Sequence, residues 1–160
     1  MSNEQASIMM SIRPTWCAAI ADGRKHVEVR RTCPRRVVLP VRVLVYCTKA
    51  TTPDEELRRT YGDHNGKVIG EFVCDEIKQY WPETPDFDEL ARESLVPLSD
   101  LYAYIGPRSL LHGWHIKDFK LYDTPHPLSD YTVDGVTRIE CAPQSWCYVR
   151  RKENNHEDYD

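Results

Sequence analysis

The chain has 160 residues, is 41% hydrophobic and 29% charged, and carries a net charge of −4. That length suits one domain, able to bury roughly 70% of its unfolded surface with no disulfide or metal staple. No apolar run approaches the ~18 residues of a membrane span, and Met1 to Met10 lack the basic and apolar regions of a secretory signal. A membrane partner and secretion are therefore not expected, and the cytoplasm is the expected location.

Residues 1–9 read as a disordered leader, with Met10 an equally good start and a single domain over residues 10–151. Pro14 opens a short helix over Thr15 to Asp22 that Gly23 stops; Trp16, Ala19 and Ile20 fall at core-facing spacing. His26 to Arg31 is a strand, with Val27 and Val29 on one face and His26, Glu28 and Arg30 on the other. A basic loop between Pro34 and Pro40 follows. Val41 to Thr48, β-branched and almost continuously apolar, predicts a central strand covered on both faces. Residues 51–65 are polar, with a helical turn over Pro53 to Arg59.

Lys67 to Ile77 predicts a third strand with Val68, Phe72 and Cys74 on one face; Gly70 inside it marks a bulge or close backbone approach. Tyr80 to Pro97, rich in acids and holding three prolines, reads as a long excursion. Ser99 caps a helix over Asp100 to Ile105, ended by Gly106. Gly113 to Tyr122 alternates as a strand, and Trp146 to Arg150 is the last. Residues 152–160 read as a disordered tail. Many short strands with helices at the connections predict an α+β fold, a small β-barrel with short peripheral helices.

Charge is unevenly spread. Residues 1–50 carry nine Lys/Arg against three Asp/Glu, the remainder 12 against 22. Such a division can give one face an affinity for phosphate, or can simply scatter over a solvated surface. The six cysteines form no C-x-x-C pair, which suits reduced thiols; Cys141 and Cys147, close in sequence, are the pair best placed to bond. Cys47 and Cys74 lie in apolar strands and read as small buried hydrophobes. His112 and His115 form an H-x-x-H without a Glu or Cys at metal spacing, so no metal site and no cofactor is expected.

The most informative stretch is Gly23 to Arg30, G-x-K-x-x-E-x-R at a helix-to-strand junction. Gly23 turns the backbone without a Cβ penalty. Lys25 then stands at the barrel mouth, where an ammonium can meet a phosphate or a base carbonyl. Glu28 and Arg30 point the same way and can offer an acceptor and a forked donor to a base edge, or form a local ion pair that braces the rim. Trp16 fits core packing. Trp114 and Trp146 are candidates to stack on a base, a contact worth ~1–3 kcal/mol. His115, Gln144 and Ser145 stand beside them.

With Ser11-Ile12-Arg13-Pro14-Thr15-Trp16, Gly66 to Phe72, Gly113 to Ile116 and Pro143 to Val149, this turn resembles the ASCH domain, a branch of the PUA-like superfamily, in its small bacterial and phage form. The resemblance spans most of residues 10–151. It implies a β-barrel that binds RNA or a modified nucleotide. Joined to the residue reading above, this puts a cleft at the turn, with Lys25, Glu28, Arg30, Trp114, His115, Ser145 and Trp146 as ligand-binding residues and the basic-loop arginines Arg31, Arg35 and Arg36 on phosphates. Similar proteins are amidohydrolases on acylated cytidine, using a Lys, a Thr three residues later and a Glu. Lys25 matches the first, Glu28 stands at the Thr position, and Glu93 is the nearest acid for the third. A hydrolase acting on a modified nucleoside or on RNA, with Lys25 and Glu28 in the chemistry, is therefore the alternative. A protein-interaction module using the acidic stretch 51–105 is a further one.

Overall fold

The structure is a computed structural model that describes residues 5–49 and 64–151. The predicted turn over Pro53 to Arg59 and the predicted tail lie outside these residues. The chain runs β1 (Ser7–Ile12), α1 (Pro14–Ala21), β2 (Val27–Arg30), β3 (Val41–Cys47), β4 (Lys67–Cys74), β5 (Ile77–Tyr80), α2 (Pro85–Ser94), α3 (Leu98–Ile105), β6 (Leu111–His115), β7 (Lys117–His126), β8 (Tyr131–Thr132) and β9 (Trp146–Arg151). No helix among the described residues is long and apolar enough to cross a membrane.

Six strands form a curled half-barrel in the order β7-β4-β3-β1-β9-β8, and three form a second sheet, β2-β6-β5. The pairing of β1 with β3 is parallel, and α1 lies in the connection between them, as a parallel pair requires. Between the two sheets packs a core of Ile8, Met10, Val43, Val45 and Phe72 with Trp114 from β6. The outer side of the half-barrel buries Met9, Leu44 and Tyr46 beneath Tyr131 and Ile139. The prediction that Val41 to Thr48 is covered on both faces therefore holds, because alternate residues of β3 enter different cores. On the small sheet, Val27 and Val29 pack with Leu111 against Phe87 and Leu90 of α2 and Leu101 and Ile105 of α3.

Four expectations change. Residues 7–9 are not part of a leader: Ile8, Met9 and Met10 are fully buried in β1, which lies between β3 and β9. The excursion after Tyr80 contains α2, with Pro85 at its first turn and Phe87, Leu90 and Ser94 on its buried face. Ser99 does not cap α3, which starts two residues earlier than expected, at Leu98 with Pro97 as N-cap; the Pro97 carbonyl accepts from the Asp100 and Leu101 N–H groups. Finally, Lys67 to Ile77 and Gly113 to Tyr122 are each two strands. The chain leaves one sheet for the other at Asp75–Glu76 and at Ile116, and the His115 N–H donating to the Glu76 carbonyl ties these corners together.

Gly70 sits at the predicted bulge. Val45 faces Gly70 and Tyr46 faces Val68, which leaves Ile69 as the extra residue. The bulge reverses the alternation, so Val68 faces the outer core while Phe72 and Cys74 face the inner one.

Candidate functional site

The G-x-K-x-x-E-x-R turn is built as its residue types dictate. Gly23 adopts a left-handed φ of 81°, and the Arg24 and Lys25 N–H groups both donate to the Ala19 carbonyl, which closes the end of α1. The chain then enters β2, whose alternation sends Val27 and Val29 to the helices and Glu28 and Arg30 to the opposite side. That side is the floor of a cleft of about 850 Å³ between the start of α1, the turn, α3 and the segment before β9.

The floor is a buried charge cluster. Lys25 is 2% exposed, Glu28 6% and Arg30 8%. The Lys25 ammonium donates to the Ser94 carbonyl at 2.6 Å, lies 3.5 Å from Glu28 Oε2, and sits 4.4 Å over the Trp16 ring. Arg30 Nη2 donates to Glu28 Oε1 at 3.0 Å and to the Ser11 carbonyl at 2.7 Å, while Nη1 reaches both oxygens of Ser145 at 3.3 Å. Burial lowers the Lys25 pKa, and the Glu28 carboxylate opposes that shift. Two floor atoms, Glu28 Oε2 and Arg30 Nε, are buried without a hydrogen-bond partner. One is an acceptor and the other a donor.

The rim is richer in cations than the motif suggests. Arg13, Arg31 and Arg108 line it, with Asp100 the one carboxylate beside them among the described residues that line the cleft outside the floor. Arg31 Nε donates to the Tyr104 carbonyl at 2.8 Å, and its guanidinium lies 4.3 Å over the Tyr104 ring. Arg108 Nη1 donates to the Arg31 carbonyl at 3.4 Å. No pattern in the sequence points to Arg13, Tyr104 or Arg108 as neighbours of the turn. Arg13 sits within the S-I-x-P-x-W segment; Tyr104 and Arg108 lie about 80 residues from the turn, and no spacing rule connects them.

The structure thus brings Lys25, Glu28, Arg30, Arg31 and Ser145 together, with Gln144 beside them. Trp16 is not a core residue only: it is half-buried and forms part of the cleft wall under Lys25. Other predicted ligand residues stand elsewhere. Trp114 is fully buried between the sheets, where its alternation on β6 places it, and its Nε1 donates to the Thr32 carbonyl at 3.4 Å. His115 turns away and pairs with the Tyr80 hydroxyl at 3.2 Å. Trp146 packs on Trp114, ring centroids 5.7 Å apart, behind Thr32 and outside the cleft. Arg35 and Arg36 also lie beyond it. Glu93 contributes only its backbone, its carbonyl accepting from the His26 N–H. Among the described residues no group of three or more His, Cys, Asp or Glu is placed to hold a metal.

The chain matches no family model and no curated protein. Solved structures do match. The crystal structure of ASCH from Zymomonas mobilis superposes with a TM-score of 0.67 at 21% identity, covering 92% of this chain and 90% of that one. A serine-to-alanine mutant of the same protein gives 0.69 at 19%, with 92% and 90% covered, and a tyrosine-to-phenylalanine mutant gives 0.67 at 19%, with 92% and 93%. At these identities the likeness is one of fold. The α+β ASCH fold that the sequence resemblance implied is the fold of this chain.

Proposed function

We propose that the cleft binds one nucleotide unit of RNA or of a modified nucleotide, with the base on the Lys25–Glu28–Arg30 floor and a phosphate on the Arg13, Arg31 and Arg108 rim. The observation that carries this reading is the Glu28 carboxylate and the Arg30 guanidinium side by side on the cleft floor, an acceptor next to a forked donor, beneath a rim of three arginines. A base edge that presents a donor beside an acceptor is complementary to that pair. Cationic rim residues on a protein of net charge −4 suit a ligand that carries its own negative charge. The cysteine spacings suit a reducing compartment such as the cytoplasm.

A second reading is a hydrolase acting on a modified nucleoside or on RNA. It is favoured by one observation: Lys25 is buried beside a carboxylate with its pKa lowered, the setting that turns a lysine toward general-base work. Against it, the ammonium is engaged by the Ser94 carbonyl and the Trp16 ring, and both contacts favour the protonated form.

Titration of fluorescent single-stranded RNA and of nucleosides, N4-acylated cytidine included, tests both readings. RNA should bind with a salt dependence that flattens by about 0.7 in log–log slope for each rim arginine replaced by alanine. Affinity indifferent to Arg13→Ala, Arg31→Ala and Arg108→Ala together would remove the binding reading. Turnover of acylated cytidine or RNA by the unmodified protein, abolished by Glu28→Gln at little cost in affinity, would put the hydrolase in its place.

A further inference from the structure

Beyond the cleft, the basic loop 31–36 is held in a defined shape by two aromatic anchors. Thr32, on the cleft rim, accepts from both indoles: its carbonyl from Trp114 Nε1 at 3.4 Å and its hydroxyl from Trp146 Nε1 at 2.9 Å. At the far end the Tyr148 hydroxyl accepts from the Arg35 and Arg36 N–H groups at 3.0 and 3.1 Å. Tyr148 is itself braced edge-on by Trp146, ring centroids 5.5 Å apart. Four hydrogen bonds from aromatic side chains or to an aromatic hydroxyl thus order a surface loop whose own side chains bury little.

What the loop presents is cationic. The backbone of Arg35 and Arg36 is tied down while both residues remain exposed, and among the described residues neither has a carboxylate within ion-pair distance. Arg36 lies 5.9 Å over the Tyr148 ring, as Arg31 lies over Tyr104 at 4.3 Å on the cleft side. An arginine near the face of a tyrosine thus occurs on both sequence sides of Thr32, at Arg31 and at Arg36. A guanidinium so held loses little freedom when it forks onto a phosphate.

We propose that Arg35 and Arg36 form a second phosphate subsite, which takes the nucleotide next to the one in the cleft. The ligand is then a single-stranded oligonucleotide whose backbone crosses the rim at Thr32, and a mononucleotide fills only half of the site. This inference rests on the nucleotide-binding reading of the cleft.

The test compares uridine and adenosine monophosphates with single-stranded octanucleotides of the same bases, on the full chain, across a salt series. Arg35→Ala/Arg36→Ala should weaken octanucleotide binding about tenfold at low salt and flatten the log–log salt slope by about 1.4, two single-strand phosphate contacts. Mononucleotide affinity should not change, and Arg35→Lys/Arg36→Lys should restore the slope. The double alanine variant should fold normally, since the Tyr148 contacts use backbone N–H groups that alanine keeps. Octanucleotide binding that ignores the double variant but falls with Arg31→Ala/Arg108→Ala would overturn the subsite and leave the cleft reading standing. Loss of mononucleotide affinity in the double variant would overturn it equally, by merging the two sites. Failure of the unmodified protein to bind either ligand would instead sink the cleft reading on which this one rests.

Discussion

Lys25 and Ser94, 69 residues apart in sequence, are joined by a 2.6 Å hydrogen bond from the ammonium to the carbonyl. Ser94 is the last residue of α2, and the chain turns left-handed at Leu95, φ 64°, so Lys25 sits on the negative end of that helix. The lysine of the G-x-K-x-x-E-x-R turn thus ties the floor of the cleft to the C-terminal end of α2.

Lys25→Met should therefore lower stability by about 3 kcal/mol, because it strands the Glu28 carboxylate beside a single cation and leaves the Ser94 carbonyl without its partner. Urea unfolding measures this. A variant as stable as the wild type would mean that the contact contributes nothing and that Lys25 serves the ligand alone.

The same residue predicts a pH dependence. Burial lowers the folded-state pKa of Lys25 below the usual 10.5, so between the two values the unfolded chain holds a proton that the folded chain has lost. Unfolding takes up that proton, and rising pH disfavours it. The pH-dependent part of the Lys25 contribution should be fullest above 10.5 and vanish as pH falls through the lowered value. Subtracting the stability profile of Lys25→Met from that of the wild type isolates this contribution from the other titrating groups; a difference that stays flat across the alkaline range contradicts it.

Gly70→Ala should cost about 2 kcal/mol. A Cβ there would lie 2.4 Å from the Lys120 carbonyl oxygen and 2.9 Å from Phe119 Cζ, and the first of these is backbone that cannot swing aside. Thermal unfolding should show a drop of several degrees. An unchanged midpoint would mean that β4 and β7 separate there at no cost.

Removal of residues 1–9 should abolish cooperative folding. Ile8 and Met9 are fully buried on opposite faces of a strand paired on both edges, so the deletion opens two cores and unpairs β9 from half of its partner. Ile8→Ala, a milder probe, should cost about 3 kcal/mol. Heteronuclear NMR of the deleted chain with dispersed, native-like peaks would contradict this.

Much of this was written in local pattern. The alternation of Val27, Glu28, Val29 and Arg30 survives intact because β2 is regular and both of its faces are spoken for, one by helices and one by the cleft. Gly70 signalled its bulge through the lack of a side chain. The helix α2 was legible too, in Phe87, Leu90 and Ser94 at helical spacing behind Pro85, but three prolines in the segment obscured it. The face of Val68 was not legible, since one extra residue in a strand reverses every position on one side of it.

By itself the sequence determined the β-rich class, the doubly covered β3, the G-x-K-x-x-E-x-R turn and the ASCH fold that its motifs resemble. These depend on neighbours within a few residues, where periodicity and turn chemistry act directly. Only the tertiary structure decided which charged and aromatic residues share a cleft. It put Trp114 in the core and Trp146 behind Thr32, and it brought Tyr104, Arg108 and the Ser94 carbonyl to the turn. The reason is that those positions follow from how two sheets and two helices pack across long sequence separations, where side-chain volume and burial decide the outcome and no local spacing records it.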